Sequence, residues 1–331
     1  MSKQAFDQKL EALEALRTAP DPVAPLRKAI QDRNNYVVSK AAAIAGSLKL
    51  EELIPDLAAT FDRFLTDPLK SDPQCWAKNA IAKSLKDLGC REARVFLLGI
   101  AHIQLEPVWG GQADSAGTLR GTCALALVDC HLDDLIILRH LTDRLADSEV
   151  PVRVDAALAL AQFGRPEGVL PLRLKAAVGD EAPEVTGQCF ASLLALAPEE
   201  SIGFVGQFLN AKKEEVRGEA AAALAQSRDP EAFRILMGFY KKKMPAEVRH
   251  GLLLALGASP LREAADFLLS VIQKEPADFA ATALKALAAS RFRHETRDRA
   301  RTIVEERDDE NLLKIWKAES ALTLSAPDQK E

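Results

Sequence analysis

A short apolar pattern recurs along this chain and restricts what the chain can fold into. It is clearest as VRVDAALAL, which starts at Val152. Its copies begin, in chain order, at Val37, Ala77, Leu119, Val152, Val185, Val216, Val248 and Phe279. The first two intervals are 40 and 42 residues, and the later ones are 31 to 33 residues. Such a period is typical of stacked units that bury their apolar faces only against their neighbours.

A second helical pattern lies between successive copies, for example DDLIILRHLTDRLAD, so each unit reads as a hairpin of helix A and helix B. Apolar residues make up 48% of the chain but aromatic residues only 5%, which favours an aliphatic core between closely packed helices. We therefore predict an all-α fold, a single α-solenoid spanning residues 1–331. About eight hairpins occupy residues 20–309. Capping helices are predicted at 1–19 and 310–324, and a disordered tail is predicted at 325–331.

An aspartate recurs in the turn before helix B of the first five repeats. These residues are Asp32, Asp72, Asp114, Asp147 and Asp180. Six residues later, three of the repeats place a cation, which completes the pairs Asp72/Lys78, Asp114/Arg120 and Asp147/Arg153. A carboxylate in this turn can accept hydrogen bonds from free N–H groups of helix B, while the cation pairs with it or with a neighbouring carboxylate. The pairs predict a ladder that sets the register of the stack.

Repeats six to eight lack this aspartate. The equivalent positions read Ala211, Lys243 and Lys274. We expect the corners of these three repeats to be stabilised in another way.

Short hairpins with this aspartate, a Val-Arg pair and a following AAxAL segment resemble HEAT repeats. They are most similar to the short repeats of phycobilisome-lyase-like proteins of bacteria. The resemblance extends over roughly residues 20–310. It implies the α-solenoid fold and says little about function, because one fold serves many functions.

Catalytic and metal-binding signatures are weak in this chain. An enzyme resembling deoxyhypusine hydroxylase would hold two irons with several His-Glu pairs, and here the only such pair is His294-Glu295. Cys123, Cys130 and His131 lack the close spacing of metal ligands and read as parts of a packed core. We therefore predict no catalytic residue, no metal and no cofactor.

Charge and cysteine usage narrow the class of protein further. The net charge of −5 disfavours nucleic acid as a partner, because nucleic-acid binding depends on neutralising phosphates. The apolar runs are too short for membrane insertion, and the N-terminal segment reads as an amphipathic helix instead of a signal peptide. Five irregularly spaced cysteines suit reduced thiols in a cytoplasmic protein.

The A-to-B turns of repeats two and three carry extra residues. These insertions, TDPLKSDPQCW and LEPVWGGQADSAG, bring Trp76 and Trp109, the latter followed by Gly110 and Gly111. Insertions at equivalent turns of a solenoid project from one edge, which often forms the binding face. Each tryptophan is either an anchor for a partner or a cover for its own hairpin. Of the second insertion, the segment from Glu106 to Gln112 is the functional candidate.

A run of lysines marks the turn of repeat seven. Lys241, Lys242 and Lys243 follow a shorter pair, Lys212 and Lys213, in the turn of repeat six. The cluster suits either an acidic partner or a solvated patch that maintains solubility.

These observations predict a non-catalytic scaffold or adaptor, with a monomer favoured. It would bind another protein through its curved surface and through the A–B turn edge of repeats two and three. The alternative, taken from the resemblance, is a phycobilin-lyase-like enzyme or accessory protein that acts on a chromophore or a modified protein.

Overall fold

The computed structural model describes residues 3–324, so the tail predicted for 325–331 lies outside the described residues. The chain divides into two compact units, Met1–Gly168 (unit 1) and Val169–Glu331 (unit 2). Each unit is a stack of helical hairpins, which confirms an all-α fold of the α-solenoid class. The organisation as one solenoid of residues 1–331 stays a prediction.

Unit 1 contains four predicted hairpins, whose A and B helices are α2/α3, α4/α6, α7/α8 and α9/α10. The helix bounds are α1 Lys3–Ala15, α2 Val23–Ile30, α3 Asn35–Ser47, α4 Ile54–Leu65, α5 Pro68–Ser71, α6 Trp76–Asp87, α7 Ala93–Ile100, α8 Gly117–Leu127, α9 Asp134–Arg144 and α10 Val150–Phe163. Two short strands lie between α7 and α8, namely β1 Leu105–Val108 and β2 Gly111–Asp114.

Unit 2 contains the other four predicted hairpins, α11/α12 to α17/α18, and a further helix pair. The bounds are α11 Val169–Val178, α12 Pro183–Leu196, α13 Pro198–Gln207, α14 Glu214–Gln226, α15 Pro230–Tyr240, α16 Ala246–Gly257, α17 Arg262–Lys274, α18 Ala277–Ala289, α19 Arg297–Arg307 and α20 Glu310–Leu324. Helix α20 is the predicted closing helix. It packs against α18 and α19, while α19 packs on α17, so the last two helices extend the hairpin series.

The B helices form the core of each unit. In unit 1, α3 packs on α6, α6 on α8 and α8 on α10, and in unit 2, α12 packs on α14, α14 on α16 and α16 on α18. Small residues on these helices allow the close approach. At Gly257, for example, an added Cβ would lie 2.6 Å from the backbone oxygen of Ala286. The repeated AAxAL segment is thus a packing requirement, because interiors at this density leave no room for an added methyl group.

The insertion of repeat three folds as a β-hairpin, which the all-helical expectation did not include. Leu105 pairs with Asp114, and Val108 pairs with Gly111, so Trp109 and Gly110 form a two-residue loop. Gly110 has a φ of 89°, a conformation that glycine adopts without the steric cost of a Cβ. The insertion of repeat two instead folds into the short helix α5 and a 3₁₀ turn over Pro73–Cys75.

The first helix covers the first hairpin. Leu13 on α1 is buried, and the ring of Phe6 lies 6.1 Å from the ring of Tyr36 on α3. Within residues 3–324, no helix combines the length and the hydropathy needed to cross a membrane.

Candidate partner-binding site

The turn of repeat two is built around a buried carboxylate, Asp72. Its Oδ1 accepts hydrogen bonds from Asn35 Nδ2 and from the backbone N–H of Ala77, both at 2.9 Å. Its Oδ2 accepts from the backbone N–H of Lys78 at 3.0 Å and from Lys78 Nζ at 2.9 Å. Both side chains of the Asp72/Lys78 pair are fully buried. The carboxylate therefore caps α6, neutralises a buried ammonium and ties α6 to α3.

Arg120 joins the turns of repeats three and four. Its Nη1 donates to Asp114 Oδ2 at 2.6 Å, and its Nε and Nη2 donate to the two oxygens of Asp147 at 2.8 and 2.7 Å. The guanidinium is 1% exposed. This bidentate pairing crosses from one repeat to the next, and Arg144 Nη1 adds a contact of 3.2 Å to Asp147. The remaining cation of the predicted ladder, Arg153, donates to the backbone oxygens of Asp147 and Ser148.

The pKa values of this cluster reflect the same contacts. Burial would raise the pKa of Asp114, but hydrogen bonds from the N–H groups of Ala116 and Gln104 and from Arg120 outweigh it, and the pKa lies below its ordinary value. For Asp147, hydrogen bonds from Arg120 and from the N–H of Glu149 likewise overcome burial and lower the pKa. Both carboxylates are therefore held ionised.

The other aspartates of the column share one hydrogen bond. In four of the five repeats, the carboxylate accepts from the backbone N–H two residues later, which belongs to the residue preceding helix B. These pairs are Asp32–Asn34, Asp114–Ala116, Asp147–Glu149 and Asp180–Ala182, at 2.8 to 3.0 Å. Asp72 instead reaches the N–H groups of Ala77 and Lys78 within helix B, after a turn in which Gln74 and Cys75 adopt positive φ.

A partly buried polar network fastens the base of the hairpin. Glu106 Oε1 accepts from the N–H of Gln74 at 2.6 Å, from Ser115 Oγ at 2.6 Å and from Gln104 Nε2 at 2.8 Å. Gln104 Nε2 also donates to the backbone oxygen of Asp72 at 2.8 Å. The hairpin of repeat three is thus bonded to the turn of repeat two through Glu106 and through the neighbouring Gln104.

Glu106 is therefore part of the scaffold, although the sequence placed it in the functional segment. Burial would raise its pKa, but the hydrogen bonds from Ser115, Gln104 and Gln74 lower the pKa, so the carboxylate is held ionised. No spacing rule points to Glu106 or Gln104, because their partners come from a turn about thirty residues earlier and from the far end of the same hairpin. The functional candidate shrinks to the loop and its flanks.

The hairpin tip, residues 108–111, projects away from the fold. Trp109 is 103% exposed and Val108 50%. Gly110 and Gly111 have no heavy atom within 4 Å of an added Cβ. An exposed Trp of this kind leaves a large apolar surface in water.

Trp76 differs from Trp109, although the sequence treated the two alike. It is the first residue of α6, and its ring meets the ring of Tyr36 edge-on at 5.2 Å between centroids. Lys40 Nζ lies 5.3 Å from the Tyr36 centroid on the same helix. With 43% of its surface exposed, Trp76 covers its own hairpin on one side and leaves the other in water.

The corners of repeats six and seven are stabilised without the aspartate, as the sequence led us to expect. Arg217 Nη1 donates to the backbone oxygens of Ala211 and Lys212 at 2.9 and 3.1 Å. Arg249 instead lies between the rings of Tyr240 and Phe279, at 4.9 and 5.1 Å from their centroids. Backbone oxygens thus serve Arg217, while Arg249 has aromatic faces and a longer ion pair with Glu275 at 3.8 Å.

The lysines of the turns lie in unit 2. Lys241, Lys242 and Lys243 follow the end of α15, and all three are exposed. They are remote in sequence from the hairpin of unit 1.

The thiols and histidines form no reactive site in the described part of the chain. Burial raises the pKa of the Cys75 thiol to about 12 and that of Cys130 to about 11. Across residues 3–324, no three His, Cys, Asp or Glu side chains are placed to hold a metal ion. The His294-Glu295 pair is exposed, and Glu295 forms an ion pair with Arg262.

Comparison with known proteins finds a family match within unit 2. Two overlapping segments, residues 170–257 and 202–288, match the family model described as HEAT repeats. No curated protein matches the chain.

Several solved structures are similar in fold. The CpcE–CpcF complex of phycocyanin lyase from Nostoc has 17% identity and a TM-score of 0.36, covering 88% of this chain and 93% of that chain. Human deoxyhypusine hydroxylase has 17% identity and a TM-score of 0.29, covering 87% and 91%. An engineered protein has 16% identity and a TM-score of 0.36, covering 99% and 97%.

Proposed function

We propose that this chain, in which residues 170–257 and 202–288 match the HEAT-repeat model, is a non-catalytic adaptor that binds a partner protein through the hairpin tip of unit 1. The carrying observation is the full exposure of Trp109 on a hairpin whose base is fixed by hydrogen bonds to Glu106. A tryptophan at a flexible loop would lose conformational entropy on binding. In this hairpin, the hydrogen bonds to Glu106 already restrict the loop before binding, and such preorganisation raises affinity.

The chemistry of the tip favours a protein partner. Residues 107–113, PVWGGQA, carry no charge, and the exposed apolar side chains close to Trp109 in the chain are Val108, Leu105 and Ile103. Burying a Trp removes about 150–250 Å² from water, worth on the order of 5 kcal/mol before the costs of association. A central aromatic anchor with a small apolar surround is the usual form of a binding hot spot. The partner should therefore present an apolar pocket.

The test is partner capture with variants of the tip. We expect Trp109→Ala to leave helicity and the unfolding midpoint unchanged, because its side chain contacts nothing in the fold, and to abolish capture of the partner. Leu135→Ser is the matched control, since Leu135 is an exposed apolar residue of the same unit, on α9. A photo-cross-linking residue at position 109 would identify the protein that covers the tip.

Glu106→Gln examines the presentation of the tip. It leaves Trp109 in place but removes the charge that the donors around Glu106 bind. We expect affinity for the captured partner to fall by about tenfold, the equivalent of one charge-assisted hydrogen bond. Full binding by Trp109→Ala, or loss of the fold in that variant, would reject the proposal and make the tip a structural feature.

A further inference from the structure

The loss of the aspartate column leaves a guanidinium in repeat six without a carboxylate. In unit 1, Lys78 and Arg120 each bind aspartates. The equivalent Arg217 has only backbone oxygens as partners, and its buried Nε has no hydrogen-bond partner. The residue that occupies the aspartate position here is Ala211. The corner therefore keeps a positive charge that elsewhere the fold itself neutralises.

The surrounding turns add further positive charge. Lys212 and Lys213 precede α14, and Lys241, Lys242 and Lys243 follow α15. Among the described residues, no carboxylate forms an ion pair with any of these five ammonium groups. Glu214 and Glu247 line a cavity of about 70 Å³ that also includes Arg217, Leu209 and Phe239. Arg217 and the five lysines outnumber these two carboxylates.

A groove lies at this corner, between the turns of repeats six and seven. Its volume is about 290 Å³, and its lining combines the cations Arg217, Lys242 and Lys243 with apolar residues that include Leu209, Phe239 and Val248. A second groove, of about 470 Å³, lies between the turns of repeats five and six, where Asp180 and Glu181 balance the charges of Lys212 and Lys213. The excess of positive charge is therefore greatest in the groove between repeats six and seven, which has no carboxylate in its lining.

We propose that the groove between the turns of repeats six and seven binds an acidic, partly apolar peptide segment of a partner protein. A carboxylate of the segment takes the place of the missing aspartate and meets Arg217, while apolar side chains of the segment enter the groove over Phe239 and Leu209. Lys242 and Lys243 attract further acidic residues of the segment. The apolar lining distinguishes this surface from a phosphate-binding one, which has no use for such contacts. This surface belongs to unit 2 and does not depend on the hairpin tip.

The experiment uses the full chain and a fluorescein-labelled peptide that alternates Glu with Leu. Binding is followed by fluorescence anisotropy. The probe is compared with its Gln/Leu isostere and with single-stranded DNA of equal charge. The variant Lys242→Glu/Lys243→Glu reverses the charge of the groove. Its matched control, Lys285→Glu/Lys317→Glu, makes the same change in net charge at exposed positions elsewhere in unit 2. Circular dichroism confirms that each variant is folded.

We expect the acidic peptide to bind the wild-type chain and to weaken as salt is raised. Reversing Lys242 and Lys243 should reduce affinity by at least about tenfold, because two exposed ion pairs become repulsive contacts, while the control stays near wild type. The proposal is overturned by any one of four results. These are no binding to the wild-type chain, equal binding of the Gln/Leu isostere, tighter binding of the DNA, or an equal loss in the control variant.

Discussion

The buried pair Asp72/Lys78 allows the ladder to be tested quantitatively. We consider Lys78→Met, which keeps an unbranched side chain, one atom shorter, but removes its charge. Lys78 Nζ lies 2.9 Å from Asp72 Oδ2 and 3.3 Å from the backbone oxygen of Phe64, and neither side chain of the pair is exposed. The variant therefore leaves a carboxylate in the interior with no cation beside it.

The expected cost follows from this geometry. Two charges at that separation attract by about 6 kcal/mol at an effective dielectric constant of about 20, and the burial of both charges offsets part of this energy. Breaking a buried pair costs about 3–5 kcal/mol. We take about 3 kcal/mol, because Asp72 keeps its bonds from Asn35, Ala77 and the N–H of Lys78. For a unit of this size, the midpoint of thermal unfolding should fall by about 6–12 °C.

A double-mutant cycle separates the charge from the packing. Asp72→Asn alone should also cost about 3 kcal/mol, because it strands the buried ammonium. The double variant should cost about 3 kcal/mol in total, because neither buried charge remains and the cost comes only from an amide without its matching partner. The coupling free energy is then about 3 kcal/mol.

Trp76 provides the signal for this measurement. It begins the helix that carries Lys78, and Trp109→Phe/Trp316→Phe removes the other two tryptophans. Urea unfolding followed by Trp76 fluorescence then reports on unit 1. Lys83→Met, at an exposed position of the same helix, is the control and should change stability by less than about 0.5 kcal/mol. The reasoning fails if Lys78→Met costs no more than this control, or if the single costs add to the double within about 0.5 kcal/mol.

Two further predictions concern acid stability and close packing. The pKa values of Asp114 and Asp147 are lower in the folded chain than the value of about 3.9 in the unfolded chain, so their ionisation stabilises the fold at pH values above about 3.9. This stability is lost as the pH falls through the pKa values of the folded state. Unit 1 should therefore lose stability as the pH falls below about 4, and Arg120→Met should make this dependence on pH less steep. Thermal melts in which the variant depends on pH as steeply as the wild type would contradict this account. Gly257→Ala should lower the midpoint of unit 2, because its Cβ meets the Ala286 backbone oxygen. Gly251→Ala on the same helix has open space around the added Cβ, so it should raise the midpoint, because alanine stabilises a helix by about 0.5–1 kcal/mol relative to glycine. A higher midpoint in both variants would argue against the close approach at Gly257.

The fold was largely readable from the sequence because repetition makes local patterns reliable. Each copy of VRVDAALAL marks one B helix, so the start of an ambiguous copy such as Val37 is supported by seven others. The hairpin at Leu105–Asp114 was missed because it occurs once, and a single insertion has no period to support it. Its turn residues, Trp109 and Gly110, are compatible with several loop conformations.

The candidate site was predicted in part. The spacing placed Asp72 with Lys78 and Asp114 with Arg120, since residues around one turn into a helix have few ways to meet. The contact of Arg120 with Asp147 joins two repeats, and only the stacking of α8 on α10 sets its distance. The same limit applies to Glu106, whose donors come from three separate places in the chain.

Sequence alone thus determined the hairpin unit, its period and the column of charge at its corner, because these are properties of residues that are close in the chain. Tertiary structure alone decided that Trp109 stands in water while Trp76 packs on Tyr36. It also decided that Glu106 fastens the hairpin, and that Arg217 lines a groove with a buried nitrogen unbonded. The exposure of a residue and the identity of its contacts depend on which distant segments pack beside it, and tertiary packing sets these segments separately at each site.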